Sequence, residues 1–119
     1  MENTTSNSEY LRGTLKTIVL SLLAENKRMY GYEITQAVKE QTNGEIALTF
    51  GALYPVLHKL EQEGALLTES LEVDGRLRKY YALTQQGAET AREKTIELGR
   101  FLNALQNLLG VPEPLPATS

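Results

Sequence analysis

Apolar side chains recur at helical spacing in four stretches of this sequence of 119 residues. The first stretch, from about Glu9 to Ala24, and the second, which starts at "YGYEI", each carry one apolar stripe. They predict two amphipathic helices. The third stretch, Thr49 to Gly64, begins with an N-cap residue and ends at a glycine, as helices often do. These three helices are therefore expected to turn their apolar faces toward one core.

After Gly64 the pattern changes from that of helices to that of strands. The runs "ALLTESLEV" and "RLRKYYALT" are rich in β-formers, and Asp74-Gly75 between them is a strong hairpin signal. Thr84 then opens the fourth helical stretch. Three helices followed by a two-stranded ribbon is the layout of a winged helix-turn-helix. The predicted fold class is therefore mainly α (α+β), with a two-stranded β wing and a long C-terminal helix.

This pattern divides the chain into four segments. Residues 1–8 are polar and are predicted to be disordered, and residues 9–83 form the winged helix-turn-helix domain. Residues 84–110 form a C-terminal dimerisation helix. Residues 111–119, "VPEPLPATS", are predicted to be a disordered tail because prolines recur in them.

The third helix has a well-defined inward face and an unusual outward face. At 100° per residue, the inward residues are Leu53, Val56, Leu57 and Leu60. The opposite side consists of Gly51, Pro55, His58 and Gln62, flanked by Tyr54 and Lys59. Gly51 and Ala52 would let the first turn approach another backbone closely, and the free N–H groups there suit phosphate. Helix breakers without a function are an equally good interpretation of these residues alone.

Three basic residues lie together in the second predicted strand. Arg76 and Arg78 share one face of it, and Lys79 lies on the other. A charge cluster on a hairpin is usually only a solvated edge. Beside a helix-turn-helix, however, it is placed to follow a phosphate backbone.

The C-terminal helix repeats small and apolar residues with a 3-4 alternation, which is a heptad seam. Its members are Ala88, Ala91, Thr95, Leu98, Leu102, Leu105 and Leu109. A helix of about 25 residues is roughly 37 Å long and overhangs a domain of this size. Folding back on its own domain is the usual fate of such a helix, but the overhang favours a dimer interface shared with the first helix. The predicted interface residues are Leu11, Leu15, Ala91, Leu98, Phe101, Leu102, Leu105 and Leu109.

Composition narrows the function class. The chain has no Cys and one His, which removes disulfides and thiol nucleophiles and gives little support to a zinc site or a Ser/His triad. No phosphate-cradling glycine loop is present, so neither an enzyme nor a cofactor is expected. No apolar run nears the ~20 residues of a membrane span, and the start lacks a secretory signal, so a cytoplasmic protein is expected. The net charge of −3 argues weakly against nucleic acid but allows one basic face.

Four stretches together resemble the PadR family of bacterial transcriptional regulators, in its small form with a single C-terminal helix. They are "LRGTLKTIVLSLLAE", "YGYEI", "GALYPVLHKLEQEG" and "GRLRKYYALTQQG", and they cover about residues 10 to 90. Leu77 departs from the family, which often has Pro between the two wing arginines. The resemblance implies a winged-helix homodimer that binds operator DNA, commonly as a repressor released by a small molecule.

The resemblance also implies DNA contacts at the start of the second helix, in the recognition helix and in the wing. Together with neighbours on the outward face of the third helix, the predicted set is Tyr30, Gly31, Gly51, Ala52, Tyr54, His58, Lys59, Arg76, Arg78 and Lys79. For Tyr54, packing as a half-buried aromatic is an equally good interpretation.

A small aromatic effector is a further expectation from the resemblance. The predicted cleft is one that a dimer built from the first and last helices could leave. It is lined by Tyr10, Leu11, Leu15, Phe101 and Leu105, for most of which buried packing is the alternative. Two other classes of function stay open at this point. A winged helix can serve as a protein-protein interaction module without operator binding, and a bare effector-binding protein would leave the basic wing unexplained.

Overall fold

The computed structural model describes residues 4–112, in which four helices surround a small antiparallel sheet. In chain order the elements are α1 (Thr4–Glu25), β1 (Met29–Tyr30), α2 (Gly31–Gln41), α3 (Phe50–Gln62), β2 (Leu66–Val73), β3 (Arg76–Leu83) and α4 (Gln85–Leu109). The order helix, helix, helix, hairpin, helix confirms the predicted winged helix-turn-helix.

The sheet has one strand more than the sequence pattern predicts. Strand order is β1-β3-β2, and β1 pairs Met29 with Tyr81 and Tyr30 with Tyr80. A strand of two residues is too short to show the period of two that identifies strands in a sequence. Its pairing with β3 defines it, and that pairing is a tertiary contact.

Helix α1 begins earlier than predicted. It starts at Thr4, so residues 4–8 are helical although their polar composition predicts disorder. No Gly or Pro stands between Thr4 and Leu11, so nothing there ends a helix that is anchored further along. Of the rest of the predicted disorder, residues 111 and 112 are described and belong to no helix or strand, whereas residues 1–3 and 113–119 lie outside the described residues.

The core lies where α1, α2 and α3 meet the inner face of the sheet. Leu20, Ile34, Leu53, Leu57 and Tyr81 are among its fully buried side chains. The inward face predicted for α3 is therefore confirmed, because Leu53, Leu57 and Leu60 are all buried.

Both predicted threonine caps are present. The Ala52 N–H donates to Thr49 Oγ1 at 3.1 Å at the start of α3. At the start of α4, the Gly87 N–H donates to Thr84 Oγ1 at 3.0 Å, and the same hydroxyl donates to the Gly64 carbonyl at 2.7 Å. Thr84 thus ties the first turn of α4 to the end of α3.

Helix α4 runs antiparallel to α1, as the residues that line two cavities (hollows) beside it show. One hollow, of about 480 Å³, is lined by Leu23 and Ala24 together with Ala88 and Ala91. The other, of about 270 Å³, brings Ile18 near Leu98, further along α4. Ala91 is buried, but most of the apolar side chains beyond Leu98 are exposed. Half of α4 therefore packs on its own domain and half extends past it.

Candidate nucleic-acid interface

The first turn of α3 presents backbone rather than side chains to the outside. Gly51 and Ala52 are exposed, and a Cβ built at Gly51 would find only Thr49 Oγ1, at 4.0 Å. Pro55 has no N–H and cannot donate the usual helical bond to the Gly51 carbonyl. This end of α3 is therefore open to close approach by another molecule, with its N-terminal N–H groups directed outward.

A row of three rings runs along one flank of α3. The ring centroids of Phe50 and Tyr54 are 5.8 Å apart, and those of Tyr54 and His58 are 6.1 Å apart. The Tyr54 hydroxyl lies against Gly31, so closely that a Cβ on Gly31 would collide with it. Tyr54 is thus half-buried and holds the starts of α2 and α3 together, and its contact with DNA stays a prediction.

The start of α2 has its own internal cap. The Tyr30 N–H donates to Glu33 Oε1 at 3.1 Å, and Gly31 is buried beneath Tyr54. A carboxylate therefore satisfies the backbone N–H of Tyr30, and the DNA contacts of Tyr30 and Gly31 stay predictions. What Tyr30 offers to a ligand is its ring.

The wing ends in the two-residue turn that the sequence predicts. Asp74 and Gly75 have φ of 52° and 76°, and Val73 pairs with Arg76 across the turn. Two positive φ angles identify a type I′ turn, which matches the twist of the strands. Arg76 is exposed here, and Leu77 at the tip is 75% exposed.

On the outer face of the sheet, two arginines flank a pair of tyrosines. The Arg78 Cζ lies 4.6 Å from the Tyr30 ring centroid, and the Arg28 Cζ lies 5.1 Å from that of Tyr80. The two tyrosine rings meet edge to face at 5.4 Å. We refer to Arg28, Tyr80, Tyr30 and Arg78 as the arginine–tyrosine row. Cation–π contacts of this kind hold guanidinium groups in place while leaving their charge exposed.

The two arginines of this row differ in how available their charge is to a ligand. The Arg28 Nη1 is paired with Glu69 Oε1 at 3.2 Å. A side-chain hydrogen bond with Tyr80 raises the pKa of Arg78, which therefore stays cationic at any working pH. Arg78 and Arg76 consequently form the cationic edge of the wing.

Lys79 lies on the opposite face of β3, toward α3. Its Nζ is 3.9 Å from Glu61 Oε1, and Glu61 also accepts from Thr68 Oγ1 at 3.3 Å. Burial raises the pKa of the neighbouring Tyr81, so its phenol stays neutral next to this pair. Lys79 thus links the wing to α3. It lies on the other face of the sheet from Arg76 and Arg78, its neighbours in the sequence.

Sequence comparison places this architecture in a family. The chain matches the Transcriptional regulator PadR-like family over residues 19–93, from α1 through the wing into α4. The chain belongs to the PadR family. A transcriptional regulator of Mycobacterium tuberculosis is 34% identical over 85 residues, which are 71% of this chain and 76% of that protein.

Solved structures agree with this assignment. A PadR family transcriptional regulator from Eggerthella lenta has a TM-score of 0.71 and 32% identity, covering 88% of this chain and 86% of that one. A transcriptional regulator from Clostridium thermocellum has a TM-score of 0.75 and 27% identity, covering 83% of this chain and 96% of that one. This PadR protein is therefore a winged-helix, DNA-binding transcription regulator, and its family and relatives are regulators rather than enzymes.

Several predicted DNA-contacting residues of this PadR chain are exposed around the start of α3 and on the wing. Gly51, Ala52, His58, Lys59 and Arg76 are exposed, and their contacts with DNA stay predictions. Phe50 and Tyr80 were not predicted. Phe50 lies about 20° outside the inward arc of the α3 wheel, beyond Leu57. It is the first helical residue, and its side chain is 48% exposed. Only the pairing of β1 with β3 brings Tyr80 beside Tyr30.

The predicted dimer surface divides into two groups. Leu11, Leu15 and Ala91 are buried within one chain, so they are core residues that offer almost no surface to a second copy. The sequence cannot separate these groups, because a heptad seam has the same pattern whether it packs on its own chain or on another. The members on the C-terminal half of α4 remain available: Phe101, Leu102 and Leu109 are exposed, and Leu98 and Leu105 are half-buried.

The predicted effector cleft is not assembled within one chain. Tyr10 and Phe101 are exposed, Leu105 is half-buried, and Leu11 and Leu15 pack in the core. The two hollows beside α4 are lined by other residues. Among the described residues, no three acidic or histidine side chains come together as a metal site would require, and no helix is long and apolar enough to cross a membrane.

Proposed function

We propose that this PadR regulator works in the cytoplasm as a homodimeric repressor that binds an inverted-repeat operator and is released by a small aromatic effector. DNA binding and regulation follow from the family, whereas the dimer, the repression and the effector are the content of the proposal. The observation that carries it is the apolar overhang of α4.

The overhang leaves several large apolar side chains exposed on one helix, and exposed apolar patches are typical of protein-protein interfaces. Leu108 is 78% exposed, although it lies on a helix of 25 residues whose first half is packed. The exposed apolar residues of this helix are Ile96, Phe101, Leu102, Leu108 and Leu109. A second copy of the same helix would cover Leu102 and Leu109 through the heptad seam, and Phe101 and Leu108 at its side.

The dimer is tested by placing like charges on the seam. Leu102→Glu with Leu109→Glu puts four carboxylates into a two-chain interface, where burying unpaired charge is costly. Both residues are exposed in one chain, so the fold should persist. We expect the wild-type protein to sediment at twice the monomer mass at micromolar concentration and the double variant to sediment as a monomer.

The matched control is Asn103→Glu with Asn107→Glu. It adds the same charge to exposed polar positions of the same helix, away from the seam. We expect this variant to remain dimeric. A wild-type chain that sediments as a monomer, or a seam variant that stays dimeric, contradicts the proposal.

Two copies also explain how a protein of this size could select an operator. One winged helix reaches few base pairs, and single modules discriminate weakly. Two modules related by a twofold axis read an inverted repeat with twice the contacts. Repression is tested by a reporter gene behind the protein's own upstream region, which we expect to become more active when the protein is removed.

The effector is proposed to bind where α1 and α4 of two copies meet. Tyr10 and Phe101 leave their rings in solvent in one chain, and a partner helix would convert them into the walls of a cleft for a planar aromatic compound. Screening such compounds against the operator complex should find some that displace the protein. Tyr10→Ala should lower its sensitivity to those compounds while leaving DNA affinity in their absence largely unchanged, because Tyr10 is outside the predicted dimer interface. If no compound changes DNA affinity, this part of the proposal fails.

A further inference from the structure

We propose that Phe50 is a specificity-determining residue that contacts the C5-methyl group of thymine in each operator half-site. This inference rests on the proposed function, because it requires α3 to enter the major groove of an operator.

The position of Phe50 on α3 places its ring where bases are read. In helix-turn-helix proteins, the N-terminal residues of the recognition helix contact base edges. Phe50 is the first residue of α3, immediately after the Thr49 cap and before the exposed Gly51 and Ala52. Gly51 carries no side chain, and a Cβ placed there would find only Thr49 Oγ1, at 4.0 Å.

The ring is exposed and also held in place. Its side chain is 48% exposed, so a large part of the ring is accessible to a ligand. Its contact with Tyr54, at 5.8 Å and an interplanar angle of 41°, fixes one side. Tyr54 is itself fixed against Gly31. A ring held by such a supporting contact loses little conformational freedom when it binds.

The chemistry of the first two turns favours an apolar contact. The residues "FGALYPV" include no Arg, Lys, Asn or Gln, the side chains that form bidentate bonds with guanine or adenine. The Tyr54 hydroxyl is directed toward Gly31. The thymine methyl is the base-edge group in the major groove that an apolar side chain recognises.

The experiment begins by selecting duplexes from a randomised library with the full-length protein. We expect thymine to be enriched at one or more positions of each half-site. Each selected thymine is then replaced by deoxyuridine, which lacks only the methyl group. At the position that contacts Phe50, we expect affinity to fall about fourfold per half-site, the change that corresponds to exposing one methyl-sized group.

The variant Phe50→Ala should bind the thymine and deoxyuridine duplexes equally, and Phe50→Leu should restore part of the difference. Leu77→Ala is the matched control, because it removes an exposed apolar side chain from the wing tip, and it should keep the full difference. Circular dichroism should show that all three variants are folded, since neither position is in the core.

The outcomes separate this inference from the function on which it rests. If no duplex is selected, the proposed operator binding fails, and the inference fails with it. If an operator is selected but no deoxyuridine substitution lowers affinity, or if Phe50→Ala retains the difference, only the role of Phe50 is overturned. If Phe50→Ala lowers the affinity for both duplexes by the same factor, the difference between the duplexes remains. That result would point instead to insertion of the ring between bases, and it also overturns the methyl contact.

Discussion

At the scale of single residues, two helical glycines of this PadR protein have opposite surroundings. A Cβ on Gly87 would collide with the Ala65 carbonyl, whereas a Cβ on Gly51 would meet nothing closer than 4.0 Å. Gly87 therefore allows the start of α4 to pack on the start of β2. Gly51 leaves open a surface that faces outward. The same amino acid is structural in one helix and available for contact in the other.

This difference predicts opposite effects of the same substitution. Gly87→Ala should lower the free energy of unfolding by roughly 1–3 kcal/mol, because the backbone must shift to admit the methyl group. Gly51→Ala should raise it by about 0.5 kcal/mol, because alanine loses less backbone entropy in a helix. Urea unfolding of both variants measures this. Equal changes in stability would show that Gly87 is not under steric constraint.

At the scale of elements, the wing and the start of α2 act together. Tyr30 precedes α2, yet its ring packs against Arg78 and Tyr80 of β3. The short strand β1 brings them together through the Tyr30–Tyr80 pair. Arg78, one of the two arginines of the cationic edge, is thus braced by an element that precedes α2 and α3, and the position of its guanidinium group does not depend on the hairpin alone.

We predict that this edge contributes the electrostatic part of DNA binding. Arg76→Ala with Arg78→Ala should weaken binding to all sequences and reduce the slope of log affinity against log salt by roughly one to two units, because each phosphate contact releases counterions. Titrations at several salt concentrations measure the slope. The control, Arg12→Ala with Lys39→Ala, removes the same charge from exposed positions on α1 and α2 and should leave the slope nearly unchanged. An unchanged slope in the wing variant would remove the wing from DNA binding.

At the scale of the whole molecule, the overhang of α4 determines how two DNA-binding domains would be spaced. The first half of α4 is fixed to its own domain through Thr84, Gly87 and Ala91. If the second halves pair, the two α3 helices are held at a set distance. Rigid twofold dimers of this kind bind half-sites about one helical turn, roughly 34–36 Å, or a multiple of it apart.

This geometry predicts a strict dependence on operator spacing. Inserting five base pairs between the half-sites turns one of them to the opposite side of the duplex. Affinity should then fall to that of a duplex with a single intact half-site, which is the control. Fluorescence anisotropy with the two duplexes measures this. Full affinity for the lengthened operator would indicate a flexible link between the domains and contradict a rigid α4 dimer.

The sequence by itself determined the four helices, the β2–β3 hairpin and the family of this protein. Helical spacing, the Thr49 and Thr84 caps and the Asp74-Gly75 turn act over a few residues, so local physics is sufficient to place them. The inward face of α3 followed from the same periodicity. Strand β1 and the early start of α1 did not, because both depend on anchoring elsewhere in the chain.

Only the tertiary structure decided which surface residues lie together. It separated Lys79 from the wing arginines, exposed Phe50 at the end of α3 and placed Tyr30 beside Arg78. It also divided the heptad seam of α4 into a part that is packed on α1 and a part that is free. The physical reason is that periodicity specifies the direction of a side chain around its own helix or strand. What that side chain meets depends on where the other elements pack and end.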